Sequence, residues 1–303
     1  MAAEITHKEA AIFVATGTMA NQLALLVWTR PGDEVLIHED GHCIHHEAGG
    51  AGANAGVNLR PVPGSHGAIE PSILGSYIRS IDNYHARTSL LTIENTANLS
   101  GGLVVSHQRM EALYAAAADA GLAVHLDGAR IFNAAVATKS SVESFTRYSD
   151  TVSFCISKGL GGPVGSLLCG SADAIAKARH QRHRLGGGWR QAGILAAAGI
   201  YALENHVERL SDDHERAQSL AEKIAATGAY TLDFPVETNI LYVSAVHEYA
   251  PTGPELEKAL AEKGILTNAT SPNQIRLVTH LDLDDNAISY TARTFNEITA
   301  ALS

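Results

Sequence analysis

The sequence predicts an α/β protein, with a large domain built on a mostly parallel central sheet and a smaller C-terminal α+β domain. Three observations carry this. Short apolar runs alternate with helix-length segments over the first two-thirds of the chain, the pattern of β-α-β units. The 303 residues suffice for a full core and a second domain. The composition changes after a long helical stretch that ends near residue 226 and joins the two domains, the large one set at 1–205 and the small one at 206–303.

Taken in order, residues 11–14 read as a strand, 19–28 as a helix and 34–37 as another short strand. The stretch EAGGAGANAGV, residues 47–57, is rich in small residues. It is too short for a linker and is expected to pack closely against a neighbour. Residues 89–94 read as a strand, 108–120 as a helix with one apolar face, and 123–127, 151–157 and 165–170 as strands. A long helical stretch runs from 189 to 226. In the small domain, 236–243 and 274–278 read as strands, and 255–263 and 284–302 as helices.

Composition narrows the function. The hydrophobic fraction is 46% and the formal net charge is -10, with no block of lysine or arginine. That argues against nucleic-acid partners and anionic membrane surfaces. The start, MAAEITHKEAAIF, carries no basic region followed by an apolar stretch, so no secretory signal is expected. No apolar run reaches the length of a membrane span. Cys43, Cys155 and Cys169 make an odd set without C-x-x-C spacing, as for small core residues in a reduced, cytoplasmic setting.

The stretch DTVSFCISKGLGGPVGS places Lys158 at the end of an apolar run and follows it with glycines. A P-loop has the opposite order, glycines first and lysine last, so a nucleotide site of that type is disfavoured. An isolated lysine here would read as a surface residue at a turn. The glycines argue otherwise, because they let backbone approach a ligand closely. Asp127 ends another apolar run, and ligands of open α/β sheets sit beyond the carboxyl ends of the strands. The two charges could form a structural ion pair. They also suit pyridoxal phosphate, whose aldehyde condenses with a lysine and whose ring nitrogen is kept protonated by a carboxylate. ATGTMAN, residues 15–21, supplies a glycine-led strand-to-helix turn for the phosphate, and His42 is available to cover the ring. A competing reading takes His42 and His46 at i, i+4, beside His45 and Glu47, as ligands of a metal-dependent hydrolase, although no third ligand is identifiable.

Beyond these residues, the stretches FVATGTMANQLAL, GHCIHHEAGG, HARTSLLTIENT, HLDGARIFNAA, SFCISKGLGGPVGS, RLGGGWRQAGILAAAG and QIRLVTHLD run in order from about residue 8 to 285. Together they resemble the low-specificity L-threonine aldolases, pyridoxal phosphate-dependent enzymes of fold type I. The resemblance implies cleavage of β-hydroxy-α-amino acids to glycine and an aldehyde, in a homodimer or homotetramer with active sites at the subunit interface. It implies that Lys158 holds the cofactor covalently and Asp127 pairs with its ring nitrogen. His42 stacks on the ring, and Gly17, Thr18 and Ser157 bind the phosphate. Arg130 contacts the cofactor's ring oxygen or the substrate carboxylate, which Arg276 also binds. His85 lies near the substrate hydroxyl, and Arg190 reaches a phosphate, in the partner's site if the interface is shared. The sequence departs from the family at His183, usually lysine, at Ala97, usually histidine, and at Trp189, usually methionine. The R-S-D-T-type segment that usually opens the family is not seen before the first match. This reads as a truncated start, an altered substrate site or a cofactor-binding but inactive homologue.

Overall fold

Fully apolar runs make strands buried on both faces, and the first unit is built from them. The computed structural model describes residues 1–80, 82–246 and 250–300. It divides into two units, one made of residues 1–99 and 104–208, the other of 100–103 and the chain from 209 onward. In the first unit the strands are β1 (Ala10–Val14), β2 (Glu34–His38), β3 (Asn58–Val62), a short hairpin of β4 (Gly64–Ser65) and β5 (Ala68–Ile69), β6 (Thr88–Glu94), β7 (Ala123–Asp127), β8 (Thr151–Cys155) and β9 (Ser166–Gly170). Seven of them form one sheet in the order β1-β9-β8-β7-β6-β2-β3. The pairs β2·β3, β2·β6, β6·β7 and β7·β8 are parallel, while β9 runs against both of its neighbours. Every residue of β2, β8 and β9 is buried, which is why these strands show no alternation in the sequence.

Helix Gly17–Trp28 follows β1 and starts at Thr16, whose hydroxyl accepts from Met19 N at 3.0 Å. It packs with helix Ala172–Arg184 over β1 and β9 through Ile12, Val14, Leu23, Leu168 and Ile175. The close packing expected of residues 47–57 is present. Ala51–Ala55 forms a π-helical turn whose Ala51 and Ala55 pack with Leu25, Val35 and Leu90, and a Cβ on Gly50 would come within 3.0 Å of the Gln22 side chain.

Several boundaries differ from the sequence reading. The strand expected at 151–157 stops at Cys155, because Ile156 N and Ser157 N both donate to Gly165 O and turn the chain. The helical stretch expected at 189–226 is two helices, Gly193–Asn205 and Leu210–Ala225, with 189–192 in a loop. The break falls at His206, whose Nδ1 lies 2.7 Å from Leu160 O.

In the second unit, β10 (Tyr230–Leu232), β11 (Ile240–Ala245), β12 (Asn268–Ser271) and β13 (Gln274–Val278) form an antiparallel sheet in the order β10-β11-β13-β12. Helices Leu210–Ala225, Gly253–Glu262 and Asp285–Ala300 close a core with it that includes Leu220, Leu241, Leu260, Ile275 and Phe295. The strand expected at 236–243 begins only at Ile240, because Thr238 and Asn239 turn their side chains to the backbone of Gly102 and Thr279. Among the described residues no helix is long and apolar enough to cross a membrane.

Candidate active site

The parallel register brings charged strand ends together. Glu94 at the end of β6 pairs in register with Asp127 at the end of β7, which pairs with Ser153 of β8. Asp127 is buried, with Oδ1 accepting from Ala129 N at 3.1 Å and Oδ2 from Asn21 Nδ2 at 2.7 Å. The same amide nitrogen donates to Glu47 Oε1 at 2.8 Å, and Gln22 Nε2 donates to Glu47 Oε2 at 2.8 Å. His42 Nδ1 lies 3.1 Å from Glu47 Oε1, and its backbone N–H donates to Glu94 Oε2 at 2.9 Å.

Three carboxylates therefore crowd one sheet edge. Burial, and then the charge of Asp127, pushes Glu94 up to about 6. The hydrogen bond to Glu47 raises His42 above its ordinary value against the pull of burial. No lysine or arginine forms an ion pair with Asp127 among the described residues, so the ion pair with Lys158 that the sequence left open is not formed. Lys158 is half-buried in the turn after β8, and its ammonium has no hydrogen bond or ion pair among those residues.

Beside β8, the N–H groups of Gly17 and Thr18 open helix Gly17–Trp28 and are not used by its cap. Gly17 has to be glycine here, because a Cβ would stand 2.9 Å from Cys155 Sγ. Ser166 Oγ is buried nearby without a hydrogen-bond partner, and Ser157 is exposed in the turn. Loop 185–192 comes to the same helix start, where a Cβ on Gly187 would meet Met19 Sδ at 2.8 Å. Trp189 stands against Phe13 with ring centroids 5.7 Å apart, and Arg190 is exposed. Arg130 is half-buried just beyond Asp127 and opens helix Ile131–Ala137.

One sequence-predicted residue is not part of this cluster. His85 precedes β6 at the edge opposite Glu94, roughly 20 Å away along the strand. It is exposed there, with Nδ1 2.7 Å from Asp82 Oδ2. Arg276 belongs to the second unit, on β13 opposite Tyr242; burial lowers its pKa, and its Nε has no hydrogen-bond partner among the described residues. At the departures, His183 is exposed in the last turn of helix Ala172–Arg184, and Ala97 is buried. The metal reading loses its geometry. Helix His42–His45 is a single turn, and His45 Nε2 sits 2.8 Å from Glu39 O. The ligand-type atoms within 4.8 Å of one another are those of His42, Glu47 and Asp127, and both carboxylates already accept from Asn21.

Asn21, Gln22, Glu94 and His125 were not singled out as site residues by the sequence. The available signal was a polar pair, NQ, buried inside an otherwise apolar helix, and a glutamate closing an apolar strand.

The family model of the beta-eliminating lyases matches residues 1–246. The low specificity L-threonine aldolase of Escherichia coli K12 is 42% identical over 292 residues, 96% of this chain and 85% of that protein. A probable low-specificity L-threonine aldolase of Arabidopsis thaliana is 38% identical over 98% of this chain and 85% of its own length. The structure of a Leishmania major threonine aldolase superposes with a TM-score of 0.83 at 21% identity, covering 99% of this chain and 87% of that one, so the expected fold type I architecture is present. Similarity of this extent, over a site assembled from the matching segments, makes the chain a member of the beta-eliminating lyase family, grouped with the low-specificity L-threonine aldolases.

Proposed function

We propose that this chain is a pyridoxal phosphate-dependent aldehyde-lyase that cleaves L-threonine, L-allo-threonine and related β-hydroxy-α-amino acids into glycine and an aldehyde. The observation that carries this reading is a buried carboxylate, Asp127, on the same sheet edge as the Lys158 amine, neither with an ion-pair partner among the described residues. A buried carboxylate normally has a counter-charge, and a protonated pyridine ring supplies one. The residues present fit the group in a second respect. The start of helix Gly17–Trp28 offers N–H groups to a phosphate, and the missing Cβ of Gly17 lets that turn sit close against Cys155.

Bound there, the cofactor offers an aldehyde to Lys158 and a protonated ring that accepts the electron pair released at Cα. The chain does the rest. Gly17 and Thr18 hold the phosphate through backbone N–H groups and the Thr18 hydroxyl, with Ser157 at the turn. Asp127 keeps the ring nitrogen protonated, and His42, held through Glu47, covers the ring face. Arg130 binds the substrate carboxylate by a charge-assisted pair and so decides which Cα bond can feed electrons to the ring. A histidine takes the β-hydroxyl proton as the Cα–Cβ bond breaks. His85 is assigned this contact, and its place at the far edge of its own sheet requires that a neighbouring copy deliver it.

That requirement is part of the proposal: a homodimer or homotetramer with shared sites. Helix Gly193–Asn205 supports it, because Ile194 is 87% and Tyr201 60% exposed on an apolar helix next to Arg190. A cytoplasmic setting is supported by three buried, unpaired thiols.

The test is acetaldehyde release from L-threonine by the purified, cofactor-loaded protein, followed with an NADH-linked alcohol dehydrogenase. Acetaldehyde formation supports the reading. A yellow protein that releases none would favour the inactive homologue, and a colourless, inactive protein would overturn the cofactor assignment.

A further inference from the structure

Behind Asp127 the buried polar side chains form one continuous hydrogen-bonded line, and the carboxylates at its near end fix its direction. Asn21 Nδ2 donates to Asp127 and Glu47, so Asn21 Oδ1 can only accept. His125 therefore carries its hydrogen on Nε2 and donates it to Asn21 Oδ1 at 3.1 Å. Its Nδ1 lies 3.0 Å from the Thr151 hydroxyl, which also accepts from Trp28 Nε1 at 3.1 Å. Burial drives His125 down to about 4, so the ring is neutral and holds one hydrogen to place. Ser153 Oγ donates to the same amide oxygen at 3.0 Å. With its oxygen committed to two donors, Asn21 has both amide hydrogens left for carboxylates, Asp127 Oδ2 at 2.7 Å and Glu47 Oε1 at 2.8 Å. His125, Thr151, Ser153 and Asn21 are all 2% exposed or less, so water does not substitute for these bonds.

We infer that Asn21 is a positioning residue that clamps Asp127 and Glu47 with the two hydrogens of one amide, whose oxygen is held by His125 and Ser153. The physical reason is charge. Two carboxylates within reach of one amide nitrogen repel, and the Asn21 amide offsets this by supplying a hydrogen to each and fixing where each points. Asp127 is thereby aimed and Glu47 is kept as the acceptor for His42. The spacing belongs to the helix: Asn21 and Trp28 are i and i+7 on helix Gly17–Trp28 and share the face turned to β7 and β8.

The inference rests on the proposed pairing of Asp127 with the cofactor ring, and the test separates the two. In the cofactor-free protein, 15N spectra of the imidazoles should show His125 with its hydrogen on Nε2. In Asn21→Leu the Nε2 hydrogen loses its acceptor, and part of the His125 population should move its hydrogen to Nδ1, where Thr151 can accept it. With cofactor loaded, Asn21→Leu, which removes the amide at similar size, should lower kcat on threonine roughly 10- to 100-fold, as for loss of a buried hydrogen bond to a charge, and change KM less than kcat. Because Asn21 acts through Asp127, the loss should disappear when Asn21→Leu is placed on Asp127→Asn. A wild-type His125 protonated on Nδ1, or a loss that multiplies independently on Asp127→Asn, overturns the clamp. If Asn21→Leu does not fold, the His125 tautomer of the wild type decides, and a hydrogen on Nδ1 overturns the clamp. Unchanged turnover in Asp127→Asn alone instead overturns the role of Asp127, and the tautomer measurement still decides the line behind it.

Discussion

His42 Nδ1 lies 3.1 Å from Glu47 Oε1, and Glu47 is itself held on both oxygens by Asn21 and Gln22. The pair links a half-exposed ring to a buried, immobilised anion. The hydrogen bond to Glu47 is the largest cause of the raised His42 pKa. In Glu47→Gln that pKa should fall, as read by NMR titration. A raised folded-state value stabilises the protein fully below the unfolded pKa of about 6.5, and the gain is lost as pH rises through the folded value. The stability gap between wild type and Glu47→Gln should thus be about 1 kcal/mol larger at pH 6 than at pH 9 in urea unfolding. A gap independent of pH would argue against the pairing.

Lys158→Ala should abolish covalent attachment of the cofactor. Borohydride treatment followed by peptide mass spectrometry is the measurement, with the label expected on the peptide containing Lys158 and absent from the variant. A labelled peptide from elsewhere in the chain would rule the assignment out.

Asp127→Asn keeps the shape of the side chain but not its charge. Turnover should drop roughly a hundredfold or more, while cofactor affinity, dominated by the phosphate at the helix start, falls modestly. Near-normal turnover would contradict the ring-nitrogen role.

Gly17→Ala should cost about 1–3 kcal/mol of stability and weaken cofactor binding, because the new methyl meets Cys155 Sγ at 2.9 Å. Cys155→Ala should recover most of the loss in thermal melts of the double variant. Failure to recover would mean that backbone conformation, rather than the close approach, demands the glycine.

Ile194→Lys puts a charge on the most exposed apolar side chain of helix Gly193–Asn205. Light scattering should show a smaller assembly than wild type, with threonine cleavage falling alongside it. A wild-type monomer that turns over threonine would refute the shared site.

Strands β2, β6, β7, β8 and β9 were legible because burial on both faces writes them as unbroken apolar runs. β3 was not, since Asn58–Val62 is an edge strand carrying Arg60 and Pro61 with only Val62 buried. Helix Ala172–Arg184 was hidden by its charges, with only Ala174, Ile175 and Ala178 buried. Lys158, Asp127 and Gly17 could be placed by the rule that ligands gather at carboxyl ends of strands. The same rule shows why His85 is absent from the cluster: a residue before a parallel strand sits at the opposite edge. Asn21 and His125 were illegible because their meaning lies in register. His125 faces Thr151 only once β7 and β8 are neighbours, and nothing local in either strand states that pairing.

β1 is an edge strand whose one sheet partner among the described residues is β9, so Ala10 pairs with Gly170 and Val14 with Ser166. During synthesis β1 must therefore wait for β9, the last strand of its sheet to be made. Until then the start of helix Gly17–Trp28 has no Ser166 beside it and no β9 beneath it, and the unpaired edge of β1 is open to other chains. Termination between the end of β8 and residue 166 would thus release a polypeptide that holds six of the seven strands but cannot assemble the phosphate end of the site. Such fragments should be sticky rather than partly functional.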